Sequence, residues 1–228
     1  MIEEITSLVN DTRRNLGIWC AGAEDSADLA RFADVAVSAG AGMISVAPAA
    51  VSVVWPWLEK HAIKIIPRFY FGGTRAPTDA DMSQLAVDIN MSFKHGASGA
   101  SVFVSQKNLE ILVNALHVVR DDLFFNKELI IGLDIGDIDA SDWENIFECL
   151  MRIRANGVML ALTRDRGDKS DFVGRLYGAL DVWNPGFFGD VYWMVGANPM
   201  RSEQVIRLTT DMCPYLLERT HLMACLQG

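Results

Sequence analysis

Arg68 lies in Ile63-Lys64-Ile65-Ile66-Pro67-Arg68-Phe69-Tyr70, a run that is otherwise almost wholly apolar. A guanidinium buried in such a segment needs an acceptor of opposite charge, either a carboxylate of the chain or an anionic group of a ligand. Asp134 closes a second apolar run, Leu129-Ile130-Ile131-Gly132-Leu133-Asp134. It suits three roles: general base, metal ligand, or ion-pair partner of Arg68. Lys107, within Ser105-Gln106-Lys107-Asn108, is a Schiff-base amine if an apolar pocket depresses its pKa, or an exposed residue in the opening turn of a helix. The stretch Thr163-Arg164-Asp165-Arg166-Gly167-Asp168-Lys169-Ser170 combines cations with a glycine ahead of a helix, which fits a phosphate clamp or a solvated loop. These patterns make Asp134, Lys107 and Arg68 the candidate catalytic residues. Tyr70, Ser105, Thr163, Arg164, Arg166 and Asn198 are the candidate substrate-binding residues. Together they suit proton transfer on a small anionic molecule. No set of metal ligands is assigned.

Other polar residues carry less signal. Asp137 and Asp139 follow Asp134 closely, where helix capping or solvation accounts for them. His61, His95, His117 and His221 fall at helix ends, within a helix or near a strand start. Cys20, Cys149, Cys213 and Cys225 are scattered through apolar surroundings without ligand spacing and read as buried thiols. Gly72-Gly73 and Gly196-Ala197-Asn198-Pro199 each admit a close ligand approach or a plain turn.

The elements that would position these residues follow from a regular alternation. Short β-branched or apolar runs occur at Leu16–Cys20, Met43–Ala47, Ile63–Tyr70, Ser101–Ser105, Leu129–Asp134, Val158–Thr163, Val191–Gly196 and His221–Leu226. Segments of helical period separate them, a pattern that produces parallel sheets. Leu29, Phe32, Ala33, Ala36 and Val37 recur at steps of three and four and stop at Gly40. Leu109, Leu112, Val113 and Leu116 form a second stripe. Trp143, Ile146, Phe147, Leu150 and Ile153 form a third, opened by the capping-box pattern Ser141-Asp142-Trp143-Glu144. No linker divides the chain, so residues 1–228 are read as one domain. The predicted fold is a (β/α)8 barrel in which an N-terminal helix bearing Ile2, Ile5, Leu8 and Val9 takes the place of the eighth helix. The alternative is an open, doubly wound parallel sheet.

Period-two alternation then sorts the strands. Outward residues pack under helices and should be apolar. Ile63, Ile65, Pro67 and Phe69 satisfy this, which turns Lys64, Ile66, Arg68 and Tyr70 inward. Likewise Ser101, Phe103 and Ser105, with Lys107 next in the same alternation, then Ile130, Gly132 and Asp134, face the interior. So do Ser45, Ala47, Met159, Ala161, Thr163, Met194, Gly196, Asn198, Met223, Cys225 and Gln227. The polar members gather toward the carboxyl ends of the strands, where barrel enzymes build their sites.

Composition limits the partners. Half of the residues are hydrophobic and 21% are charged, as in a packed globular chain, and the net charge of −9 opposes nucleic acid. No run is apolar enough to span a bilayer and no secretory signal opens the chain, so neither membrane nor export is expected and the location reads as cytoplasmic. Trp55, Trp57 and Trp183, with a positive mean hydropathy, suit a homo-oligomeric surface or ordinary packing under helices.

The alternation over nearly the whole chain resembles aldolase-type TIM barrels, including small lyases and isomerases of sugar phosphates. Asn184-Pro185-Gly186-Phe187-Phe188-Gly189 resembles a stretch of ribulose-phosphate epimerases, although there it follows a strand and here it precedes one. Lys64-Ile65-Ile66 leading to Gly72-Gly73, followed by Gly96-Ala97-Ser98-Gly99-Ala100-Ser101-Val102-Phe103-Val104, is similar to chitinase-like barrels. Those carry a catalytic acid where this chain has Val104-Ser105-Gln106, which argues against that mechanism. The resemblance implies an aldolase-like lyase or an isomerase acting on an anionic, including phosphorylated, carbohydrate or on a keto acid. Lys107 or a bound divalent metal ion would stabilise the developing charge. A barrel that binds carbohydrate or protein without catalysis is the competing expectation.

Overall fold

The computed structural model describes residues 15–22, 25–71, 77–161, 169–196 and 198–227. Eight parallel strands close into a barrel in sequence order. They are β1 (Asn15–Ala21), β2 (Met43–Val46), β3 (Lys64–Phe71), β4 (Gly99–Val104), β5 (Glu128–Asp134), β6 (Gly157–Ala161), β7 (Asp190–Gly196) and β8 (Thr220–Gln227). The connecting helices are α1 (Ser26–Ser38), α2 (Val51–Leu58), α3 (Asp79–Lys94), α4 (Gln106–Leu123), α5 (Trp143–Ile153), α6 (Lys169–Asp181) and α7 (Pro199–Met212). β1 pairs with β8 from Asn15↔His221 to Ala21↔Gln227, which excludes the open sheet. The helix predicted before β1 lies outside the described residues.

Two apolar layers hold the barrel, and strand parity separates them. Ile18, Ile44, Ile65, Val102, Ile131, Leu160, Trp193 and Leu222 face outward into a continuous core shared with the helices. Trp19, Met43, Ile66, Phe103, Ile130, Met159, Ala161, Tyr192 and Met223 fill the interior. A one-residue slip in any strand would exchange the two sets, so burial on both faces fixes the register.

Local rules explain how the elements stop. After α1, Gly40 takes φ +63°, its N–H bonds Val37 O, and the Ala41 N–H bonds Ala36 O, the paired arrangement that closes a helix with glycine. α5 ends with the same bonds, but Arg154 occupies the left-handed position at φ 59°. The capping box predicted at Ser141 does not form. Ala140–Asp142 make a 3-10 turn, and α5 starts from Asp142 with no side-chain cap. The turn already orders the entry to the helix, so the Ser141 hydroxyl is not at the capping position.

One strand breaks the expected parity. Met194 pairs with Met223, but Gly196 pairs with Ala224, so Val195 and Gly196 together occupy the place of one residue. This bulge puts Gly196 level with an outward-facing partner, where strict period-two counting turns it inward. Bulges of this kind re-aim the chain at a barrel rim.

The amino-terminal end of the barrel carries its own polar cluster. Lys64 pairs with Glu128, His221 Nε2 lies 3.3 Å from Asp190 Oδ2, and the His221 ring stacks on Tyr192 at 4.4 Å. These groups plug the end opposite the carboxyl-terminal mouth. The Asn184–Gly189 stretch, entering β7, also belongs to that far end.

Candidate functional site

Arg68 and Tyr70 stand two residues apart on β3 and therefore share its inward face. Arg68 is only 8% exposed. Its Nη1 donates to Ser45 O at 2.7 Å and its Nη2 to Cys20 O at 2.6 Å, so the guanidinium ties β3 to β2 and β1. These acceptors are backbone carbonyls; the terminal nitrogens do not bond Asp134. The Nε has no hydrogen-bond partner, and neither does the fully buried hydroxyl of Ser45. Burial lowers the Arg68 pKa, while Tyr70, Cys20 and Cys225 push it the other way. An arginine stays protonated through such a shift. A positive charge thus sits inside the barrel, held by dipoles instead of by a carboxylate.

Aromatic rings surround that charge. The Arg68 guanidinium carbon lies 4.1 Å from the centre of the Trp19 ring, close enough for a desolvated cation–π contact. Trp19 meets Phe103 edge-on at 5.4 Å, and Tyr70 stacks on Phe103 at 5.2 Å. Phe103 reaches this position because residue 132 is glycine: a Cβ there would collide with the Phe103 ring. Tyr70 is 65% exposed, so its ring opens to solvent while its hydroxyl end leans on Arg68. Burial of that end raises the phenol pKa, and Arg68 opposes the rise.

The other predicted residues occupy different places. Asp134 caps the 3-10 turn Ile135–Asp137, its Oδ1 accepting from Gly136 N at 2.9 Å. Ser105 is the residue before α4, and its carbonyl accepts from the Asn108 and Leu109 amides. Lys107 is exposed in the first turn of α4. It lines a groove of about 340 Å³ between α4 and α5 with Asp142, Asn145 and Cys149. Asn198 caps α7, its Oδ1 accepting from Met200 N at 3.0 Å. Thr163, Arg164 and Arg166 lie outside the described residues. Strand topology therefore brings Arg68 and Tyr70 together, and places Asp134 at the carboxyl end of β5 on the same rim.

Sequence reasoning passed over Trp19 as a site residue. Its inward parity on β1, next to Gly17 and Ala21, was the signal that could have found it. It also left Cys225 without a role. Cys225 packs against the interior cluster and is partly exposed, whereas Cys20, Cys149 and Cys213 are buried. Burial pushes the Cys20 thiol up to about 12, with Arg68 opposing. Among the described residues no group of three or more His, Cys, Asp or Glu side chains is placed to hold a metal ion, and no helix is long and apolar enough to cross a membrane.

No family model matches the chain, and no curated protein matches its sequence. Its fold is similar to a Toxoplasma gondii structure assigned as a deoxyribose-phosphate aldolase, at 14% identity over 98% of this chain and 93% of that one, with a TM-score of 0.72. It is also similar to deoxyribose phosphate aldolase from Aeropyrum pernix, at 12% identity over 91% and 88% of the two chains, TM-score 0.71. The arginine decarboxylase of Paramecium bursaria Chlorella virus aligns at 10% identity over 98% of this chain and 62% of its own, TM-score 0.56. Likeness at these identities establishes the closed (β/α)8 barrel architecture and nothing finer. One fold carrying such different reactions leaves the chemistry to the site.

Proposed function

We propose that the chain is a lyase or isomerase acting on a small anionic substrate, a phosphorylated carbohydrate or a keto acid. One observation carries this reading: a buried guanidinium with an unpartnered Nε lies inside the barrel within an aromatic cage. A desolvated cation with no carboxylate partner retains most of its attraction for an anion. Arg68 orients the anionic group, Tyr70 donates a hydrogen bond at the solvent edge, and Asp134 moves a proton. Ser105, Asn198, Thr163, Arg164 and Arg166 complete the binding wall in this proposal. The aldolase named for the Aeropyrum pernix structure supports the sugar-phosphate branch.

Charge developing on the substrate is stabilised by Lys107 or by a divalent metal ion, and the two branches separate experimentally. Borohydride trapping with a turned-over carbonyl substrate labels Lys107 in the first. Loss of turnover on chelation, restored by metal, marks the second. The decisive test of the common core is a thermal-shift screen of sugar phosphates and 2-keto acids, followed by turnover assays on the hits. A ligand shift that survives unchanged in Arg68→Lys would sink the reading.

A non-catalytic binding barrel is favoured by one feature: Asp134 and Asn198 each spend a side-chain oxygen on a turn or helix cap. Undiminished ligand binding without turnover in both wild type and Asp134→Asn would select that reading. We further propose a single domain, a cytoplasmic location and a homo-oligomer using the exposed Trp55 and Trp57 of α2, 39% and 41% exposed. Sedimentation equilibrium tests the oligomer. A mass equal to one chain discards it.

A further inference from the structure

Cys225 and Trp19 are register partners across the β8–β1 seam. In-register neighbours on parallel strands present their side chains to the same face, and Cys225 packs on the interior cluster that contains Trp19. The Arg68 guanidinium lies over that same indole, 4.1 Å from its centre. Thiol and guanidinium therefore both neighbour Trp19 on the inner side of the barrel. Arg68 is more than nine-tenths buried, its Nε lacks an acceptor and no carboxylate among the described residues pairs with its charge, a combination that an anion beside it would satisfy on both counts. Cys225 is partly exposed.

We propose that Cys225 forms one wall of the Arg68 anion subsite and is its nucleophilic side chain, open to covalent modification by small carboxylates that carry an electrophilic carbon next to the carboxyl group. The inference rests on the anion-binding reading of Arg68. With iodoacetate as probe, Arg68 holds the carboxylate and the thiolate sulfur attacks the methylene carbon. The S–C bond forms, the C–I bond breaks, iodide leaves with the electron pair, and the thiol proton passes to solvent. Burial raises the Cys225 thiol pKa and Arg68 opposes the rise, so labelling accelerates with pH beyond the ordinary thiol range.

The test compares iodoacetate with the neutral iodoacetamide on the full chain in its native state. Peptide mass mapping follows Cys225, with glutathione as an unstructured thiol in the same tube. Relative to glutathione, Cys225 should favour iodoacetate by about tenfold, the scale of electrostatic steering in a low-dielectric cleft. The preference should saturate with reagent, and pyruvate, inorganic phosphate or added sodium chloride should suppress it. Arg68→Lys should weaken it and Arg68→Met abolish it. Since loss of Arg68 can unfold the barrel, the protection and salt arms on the unaltered chain stand independently. Equal preference for the two reagents, or no labelling of Cys225, overturns the proposal. If pyruvate or phosphate still raises the melting temperature in an Arg68-dependent way, the anion site survives and only the role of Cys225 falls. If neither anion shifts the wild-type melting temperature, the anion reading falls as well.

Discussion

Arg68 is held by carbonyls that no side-chain substitution can remove, so its own replacement is the direct test of its structural share. Arg68→Met strips the donors from Ser45 O and Cys20 O. Buried acceptors left without donors cost about 1–3 kcal/mol each, so for the two of them urea denaturation should show a loss of about 2–6 kcal/mol. Cys20 gives a prediction about pH. Its thiol is raised in the folded state to about 12 from 9.0, so the native protein keeps a proton that the unfolded chain releases. The stability this contributes is complete below pH 9 and is lost as pH rises toward 12. Wild type should weaken through this window more steeply than Cys20→Ala, and equal slopes in urea titrations at pH 8 and pH 10.5 would contradict the assignment.

Two glycine-related positions carry the argument at the level of elements. Gly132→Ala places a methyl against the Phe103 ring and should cost about 1–3 kcal/mol, the usual range for overpacking. The double variant with Phe103→Leu should recover most of that loss, because the smaller side chain yields the space. Arg154 poses the opposite case, a bulky residue at φ 59° where the helix end prefers glycine. Its side chain pairs with Asp121 across α4 and α5, but both partners are largely exposed, so the pair contributes little. Arg154→Gly should be neutral to stabilising, by up to about 1 kcal/mol. A clear drop in melting temperature would mean that the ion pair matters more than the backbone strain.

Closure of the barrel is a property of the whole molecule. β8 is hydrogen-bonded to both β7 and β1, and its outward Leu222 and inward Met223 are fully buried in the two different layers. A chain ending before Thr220 would expose two unpaired strand edges and hollow out both cores. It should lack a cooperative thermal transition, in contrast to the full chain.

What the residues determined alone is the order of elements and the division of each strand into two faces, since burial on a pleated strand is a local, period-two constraint. That is why Arg68 and Tyr70, and likewise Phe103 and Gly132, were legible as interior from the sequence. The acceptors of Arg68 were not legible, because they are backbone carbonyls 23 and 48 residues away and every residue carries one. The same limit hid the Trp19 cation–π contact and left the pocketed and exposed readings of Lys107 both open, since these depend on how strands and helices meet in space. The bulge at Val195 and the closure of β8 on β1 likewise belong to tertiary structure: parity counting assumes one residue per pleat, and nothing local decides whether the last strand returns to the first.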